Sequence, residues 1–203
     1  MSSASDRQRR RRALRVIAAS AVAAPLWPAL QAPALAQQRA PTPACGADAP
    51  PTPRQTAGPF FKPRSPQRSS LLEPGMRGER LVLQGRVLDT SCQPVSGALL
   101  DVWHADENGE YDNEGYRLRG HVFADTQGRY RIETIVPGLY PGRTRHIHVN
   151  AQPPGGRVLT TQLYFPGEAA NARDGLFAPE LLVSTSRMGE ALQATFDFIL
   201  RRT

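Results

Sequence analysis

From Arg80 onward the chain is written in short segments that alternate apolar and polar residues, nearly all closed by a turn signal. That rhythm constrains the fold more than any other feature. Alternate side chains of a strand share a face, so a period of two buries one side and leaves the other free. "RLVLQGRVLD" sets Leu81, Leu83, Gly85 and Val87 on one face, and "CQPVSG" turns the chain. "ALLDVWHA" is a second apolar segment, running into the acidic, Gly-rich "DENGEYDNEG". "HVFADTQGRYRIET" reads as two short strands around "DTQG", and "RHIHVNA" and "RVLTTQLYF" as two more around "QPPGG". In "ALQATFDFILR", Leu192, Ala194, Phe196, Phe198 and Leu200 alternate. A helix competes there, but the period of two and the aromatics favour a strand. Many short strands, frequent turns and no long helical period predict an all-β, immunoglobulin/transthyretin-like sandwich over residues 78–203.

Upstream the pattern disappears. Residues 37–77 are rich in proline and small residues without a period, so an extended N-terminal arm is expected, anchored by its one apolar point, "GPFF". Residues 1–36 read as a signal peptide. "RQRRRR" is a basic n-region, an Ala-rich apolar stretch follows, and "ALA" at Ala34–Ala36 supplies the small residues of a cleavage site. The arginines directly before the apolar stretch also fit a twin-arginine signal. A membrane anchor fits less well, because a spanning helix wants about 20 apolar residues in a row, and Pro25 and Pro28 interrupt this one. An exported protein, periplasmic or secreted and without a membrane span once processed, is therefore expected. Six arginines and one acid lie in that segment, so 19 basic and 17 acidic residues remain beyond it, a net charge of only +2. The high pI is a property of the leader, and nucleic-acid binding loses its main support.

Cys45 and Cys92 are the only two cysteines. In an oxidising compartment such a pair reads as one disulfide, tying the arm to the sandwich. The histidines are more informative. The chain has only four, yet His146 and His148 stand as His-x-His on a predicted strand, where both point the same way. Two imidazoles side by side suggest a shared metal. Further donors come from one of two sets. His104 and Asp106 of "WHAD" would build a zinc or Fe(II) site with the pair. Alternatively Tyr111 of "DENGEY" and Tyr140 of "PGLYPG" complete it. A non-catalytic β-sandwich used for binding stands as a third reading.

Several motifs in register go further. "TAGPFF", "DVWHADENGEYDNEGYRLRG", "ADTQGRYRIETIVPGLYPG", "RHIHV" and "TQLYFPG", in order from Gln55 to about Gly167, together resemble the intradiol ring-cleavage dioxygenases of the catechol and protocatechuate type. The resemblance implies one Fe(III) held by Tyr111, Tyr140, His146 and His148. It implies opening of a catechol-type diol by O2, between its hydroxylated carbons, to a cis,cis-muconate-type dicarboxylic acid. Tyr140 would also take a substrate proton. Arg143 matches the family's active-site arginine, and Gln162 and Tyr164 fall near the substrate pocket. His104 and His121 match no ligand, and His104 is expected to be a structural hydrogen-bonding residue beside Trp103. Two phenolates and two neutral imidazoles would leave a ferric centre of net +1, far cheaper to bury than the bare ion. The chain departs from the familiar enzymes in three ways. Only five residues separate Tyr140 from His146, no long N-terminal helical region is visible, and Phe60 stands where a hydroxylated aromatic is common.

Overall fold

The computed structural model describes Cys45 and residues 49–202. The proposed signal peptide lies outside the described residues. Two β-sheets face each other. In the first, β1 (Arg80–Asp89) is the spine. It pairs antiparallel with β4 (Arg129–Ile135) along most of its length. Its other edge is shared: Leu81–Gln84 pair in parallel with β8 (Ala191–Thr195), and Val87–Asp89 with β9 (Phe198–Leu200). β7 (Ser184–Met188) closes this sheet against β8. The second sheet is wholly antiparallel, in the order β3 (Arg119–Phe123), β2 (Leu99–Trp103), β5 (His146–Gln152), β6 (Leu159–Tyr164).

The all-β sandwich is as the sequence pattern predicts. Leu81, Leu83 and Val87 of β1 are buried against Leu100, Ile132, Ile147, Val149, Leu163 and Phe198. Each such side chain contributes about 1.5–3 kcal/mol by leaving water. The last alternating segment keeps its buried face at Ala194, Phe196, Phe198 and Leu200 but is two strands rather than one. The break falls opposite Gly85, where an added Cβ would stand 1.9 Å from the Phe196 carbonyl oxygen. Phe196 N–H donates to Gln84 O, and Arg86 N–H to the Asp197 carboxylate, so the interruption is itself hydrogen-bonded.

β5 departs from simple alternation because both its faces are covered. Ile147, Val149 and Ala151 enter the core, whereas His146 and His148, also buried, look the other way. The arm lies over that second face. Gln55 N–H donates to Thr160 O, Thr161 Oγ1 to Pro53 O, and Gln162 Nε2 to Thr56 O. Further on, bridges join Gln67 to His121 and Ser70 to Glu133, and Leu71 is fully buried in the core. Cys45 and Cys92 are bonded, with Cα atoms 5.5 Å apart.

Candidate metal centre

Two glycines bring the tyrosine-bearing loops together. Gly109, at φ +87°, sits so close to the second loop that a Cβ would lie 2.1 Å from the Leu139 carbonyl oxygen. Gly138 in turn leaves no room for a Cβ beside the Glu107 carbonyl, and its N–H donates to Asp106 O. Backbone therefore meets backbone between "DENGEY" and "PGLYPG", and the Tyr111 and Tyr140 rings end 5.9 Å apart, edge to face. After Tyr140 the chain makes a type II turn, with proline second, Gly142 third at φ +77°, and Arg143 N–H donating to Tyr140 O.

β5 supplies the histidines. Their rings lie 4.8 Å apart, nearly perpendicular. His146 Nδ1 is 2.6 Å from the Thr144 carbonyl and must carry the proton there, which leaves Nε2 as a bare lone pair. That lone pair lies 3.2 Å from the Tyr111 hydroxyl. Neighbouring donors on one metal, each about 2.0–2.1 Å from it, stand roughly 3 Å apart, so this pair fits a common ion. His148 is held differently. Its ring stacks on Trp103 at 5.0 Å, nearly parallel, while Gly58, at φ +65°, closes the slot with its Cβ position 3.3 Å from His148 Cε1. Its Nδ1 makes no hydrogen bond of ordinary geometry among the described residues, and the nearby Thr56 carbonyl accepts from Gln162 Nε2 at 3.0 Å. Phe60 stacks on Tyr111 at 4.3 Å and meets Tyr140 edge-on at 5.4 Å.

The electrostatics suit a cation site. Burial lowers the His146 pKa to about 4, with the Arg143 charge adding to the effect against an upward pull from the Thr144 carbonyl. Burial, then His146 and Arg143, lower His148 to about 2 against a smaller upward pull from Thr56. Both imidazoles are thus neutral at pH 7, the form that binds metal. Burial pushes the Tyr111 phenol well up, outweighing the downward pull of Arg143 and Arg119. Its phenolate needs a cation beside it, and a bound metal ion supplies one. Two phenols and two neutral imidazoles therefore fit a hard, highly charged ion such as Fe(III).

Arg143 is not a loose surface residue. Its Nε donates to Asp174 Oδ2 at 2.9 Å and its Nη2 to Gln162 Oε1 at 2.7 Å. Gln162 is fully buried and pairs with His148 across the sheet. Tyr164, opposite His146, is also fully buried, its hydroxyl engaged with Gln55 Oε1 and Leu176 O. It props the arm rather than facing open space. His104 is structural, as expected beside Trp103: Nδ1–H donates to Ala105 O and Nε2 accepts from Thr134 Oγ1, both at 2.7 Å. Asp106 Oδ1 is occupied by the N–H groups of Asn108 and Glu110. Among the described residues no three His, Cys, Asp or Glu side chains converge. The alternative site built on His104 and Asp106 is therefore not assembled, because a metal would have to displace both their hydrogen bonds. Gly58, Trp103, Thr144 and Asp174, which carry much of the geometry, had no signal in the spacing of the chain.

The fold thus gathers two phenols and two neutral imidazoles at one place on a β-sandwich. The family model described as Dioxygenase (Dioxygenase_C) matches residues 56–202, and the chain belongs to the intradiol ring-cleavage dioxygenase family. It is 36% identical over 153 residues to the protocatechuate 3,4-dioxygenase beta chain of Burkholderia cepacia, covering 61% of this chain and 65% of that one. With the catechol 1,2-dioxygenase of Pseudomonas sp. (strain EST1001) it shares 29% over 154 residues, 63% of this chain and 51% of the other. The chain thus spans about half to two thirds of the length of these relatives. Among solved structures it is similar to the dioxygenase domain of a dioxygenase–carbohydrate-binding protein fusion from Streptomyces sp. SirexAA-E. That similarity has a TM-score of 0.74 and 52% identity, and covers 76% of this chain and all of that domain.

Proposed function

We propose that this chain is a non-haem Fe(III) intradiol dioxygenase acting on a catechol-type aromatic diol and O2. The diol gains both oxygen atoms and opens between its hydroxylated carbons to a cis,cis-muconate-type dicarboxylic acid. The observation that carries the reading is the pairing of His146 with Tyr111. One imidazole nitrogen is locked by Thr144 O, and the other carries a bare lone pair 3.2 Å from the oxygen of a half-buried phenol.

Tyr111, Tyr140, His146 and His148 would hold the iron, which when bound supplies a Lewis acid that makes the chelated diol reactive toward O2. The protein's own groups do the rest. Phe60 and Trp103 wall the donors with apolar surface and exclude water, which strengthens every charge interaction within. Tyr140, at the start of its turn, accepts one of the diol protons at its phenolate oxygen. Arg143, held by Asp174 and Gln162, keeps a positive charge beside the donors and stabilises negative charge on the ring. The test is anaerobic loading with iron, then catechol and O2. Equimolar oxygen uptake and a ring-opened diacid are expected, whereas an extradiol semialdehyde or no oxygen uptake contradicts the assignment.

Export belongs to the same proposal. The basic leader with its "ALA" site supports it, and so does the bond between Cys45 and Cys92, a linkage suited to an oxidising compartment. The mass of the N-terminal peptide recovered from a periplasmic or culture fraction decides the point: cleavage after Ala36 is expected, and an intact Met1 terminus contradicts it.

A further inference from the structure

The segment Glu168–Asp174 follows β6 as a loop and a 3-10 helix (Ala169–Arg173), and none of it belongs to the metal donors. It nevertheless holds each of the three residues that precede β5. Glu168 pairs with Arg145 at 2.7 Å, Asn171 Oδ1 accepts from Thr144 Oγ1 at 2.6 Å, and Asp174 pairs with Arg143 at 2.9 Å. Asp174 does most. Its side chain is 3% exposed, and Oδ2 accepts both Arg143 Nε and the Thr144 backbone N–H, the latter at 2.8 Å. Oδ1 accepts Leu176 N–H at 2.9 Å, which fixes the plane of the carboxylate.

The consequences run in two directions. With Nε held by Asp174 and Nη2 by Gln162, the planar guanidinium has one orientation. The same carboxylate pins the Thr144 peptide, whose carbonyl takes the Nδ1 proton of His146 and so aims Nε2 at Tyr111.

We propose that Asp174 is a positioning residue for the centre, setting Arg143 and, through the Thr144 peptide, His146 with one buried carboxylate. It rests on the intradiol reading and adds to it a residue that touches neither metal nor substrate. Because the supports are shared, a fault at Asp174 reaches both the charge beside the substrate and the orientation of one iron donor.

The test compares iron-loaded wild type, Asp174→Asn, Arg143→Ala and the double variant. Asp174→Asn is expected to lose about 10- to 100-fold in kcat with little change in KM. It should also shift the visible tyrosinate-to-iron band and shed iron to a chelator faster than wild type. In the double variant the loss in kcat should be clearly smaller than the product of the two single losses, because the Arg143 share of the Asp174 effect has nothing left to orient and only the His146 share remains. Multiplying losses, or an unshifted band with unchanged iron release, overturn the proposal. If Asp174→Asn does not fold, Arg143→Lys serves: an ammonium keeps the charge but cannot span Asp174 and Gln162 as a fork. A kcat at least tenfold lower, within the range above, is expected, and wild-type kcat overturns the proposal. Iron-loaded wild type that fails to cleave catechol fells the functional reading itself, a result distinct from a working wild type with an indifferent Asp174→Asn.

Discussion

Gly109→Ala tests how the two tyrosine loops are brought together. At φ +87° the residue occupies the left-handed region, where alanine costs about 1 kcal/mol or somewhat more. The added Cβ would also stand 2.1 Å from the Leu139 carbonyl oxygen, more than 1 Å inside ordinary contact. The obstacle is backbone, so relief requires the loops to part, and overpacking of this kind costs a further 1–3 kcal/mol or so. The sum, about 2–4 kcal/mol, corresponds to a fall in Tm of about 5–15 °C for a domain of this size. Displacing Leu139 drags Tyr140, so the tyrosinate-to-iron band should weaken as well. Gly155→Ala is the control, with φ +67° but nothing within 4 Å of its Cβ position. It should lose only about 1 kcal/mol and keep the visible spectrum of wild type. Differential scanning calorimetry of the metal-free proteins and spectra of the iron-loaded ones measure both effects. If Gly109→Ala behaves like Gly155→Ala in Tm and in colour, the loops are not positioned by this close approach.

Tyr140→Phe removes one phenolate, so the iron-loaded variant should lose part of its visible band and most of its ring-cleaving activity, measured by oxygen uptake. Arg143→Ala should lower kcat by about 100-fold with iron retained, as metal analysis and steady-state kinetics would report. Replacing Cys92 by serine should cost about 3–4 kcal/mol in denaturant unfolding if the chain-entropy account of the 47-residue separation holds. The metal-free protein should also weaken in acid. His104 and His146 are lowered by burial to about 4, so between pH 6.5 and 4 the unfolded chain binds protons that the folded one refuses. Stability should therefore fall as pH drops through that window, by about 1.4 kcal/mol per pH unit for each histidine. A flat profile in pH-dependent urea melts would contradict the burial of neutral imidazoles.

Most strands were legible because one face of each enters the core. β1 and β4 place Leu81, Leu83 and Val87, and Tyr130 and Ile132, at alternate positions in the core, although Val82, Leu88 and Ile135 are buried as well, and the His-x-His of β5 shares a face for the same reason. β7 was not legible: "STSRM" is a polar edge strand whose side chains are nearly all exposed, so hydrophobic pattern has nothing to report. The division of β8 from β9 depends on backbone passing at Gly85, a tertiary event with no local trace beyond the glycine itself. In the site, Tyr111, Tyr140, His146 and His148 could be picked out by residue type and motif. Their supports could not. Trp103 reads as an ordinary core aromatic, Gly58 as one more arm glycine, and Asp174 stands 28 residues beyond His146 in a loop. Pairing across a sheet and packing of the arm make them neighbours.

The proposed function requires four donors to share one ferric ion with the substrate. A visible absorption spectrum of the purified, iron-quantified protein, recorded before and after anaerobic addition of catechol, tests that claim most directly. A broad tyrosinate-to-Fe(III) band that moves to longer wavelength as the diol binds is the expected result. A colourless protein that nevertheless contains stoichiometric iron would contradict it.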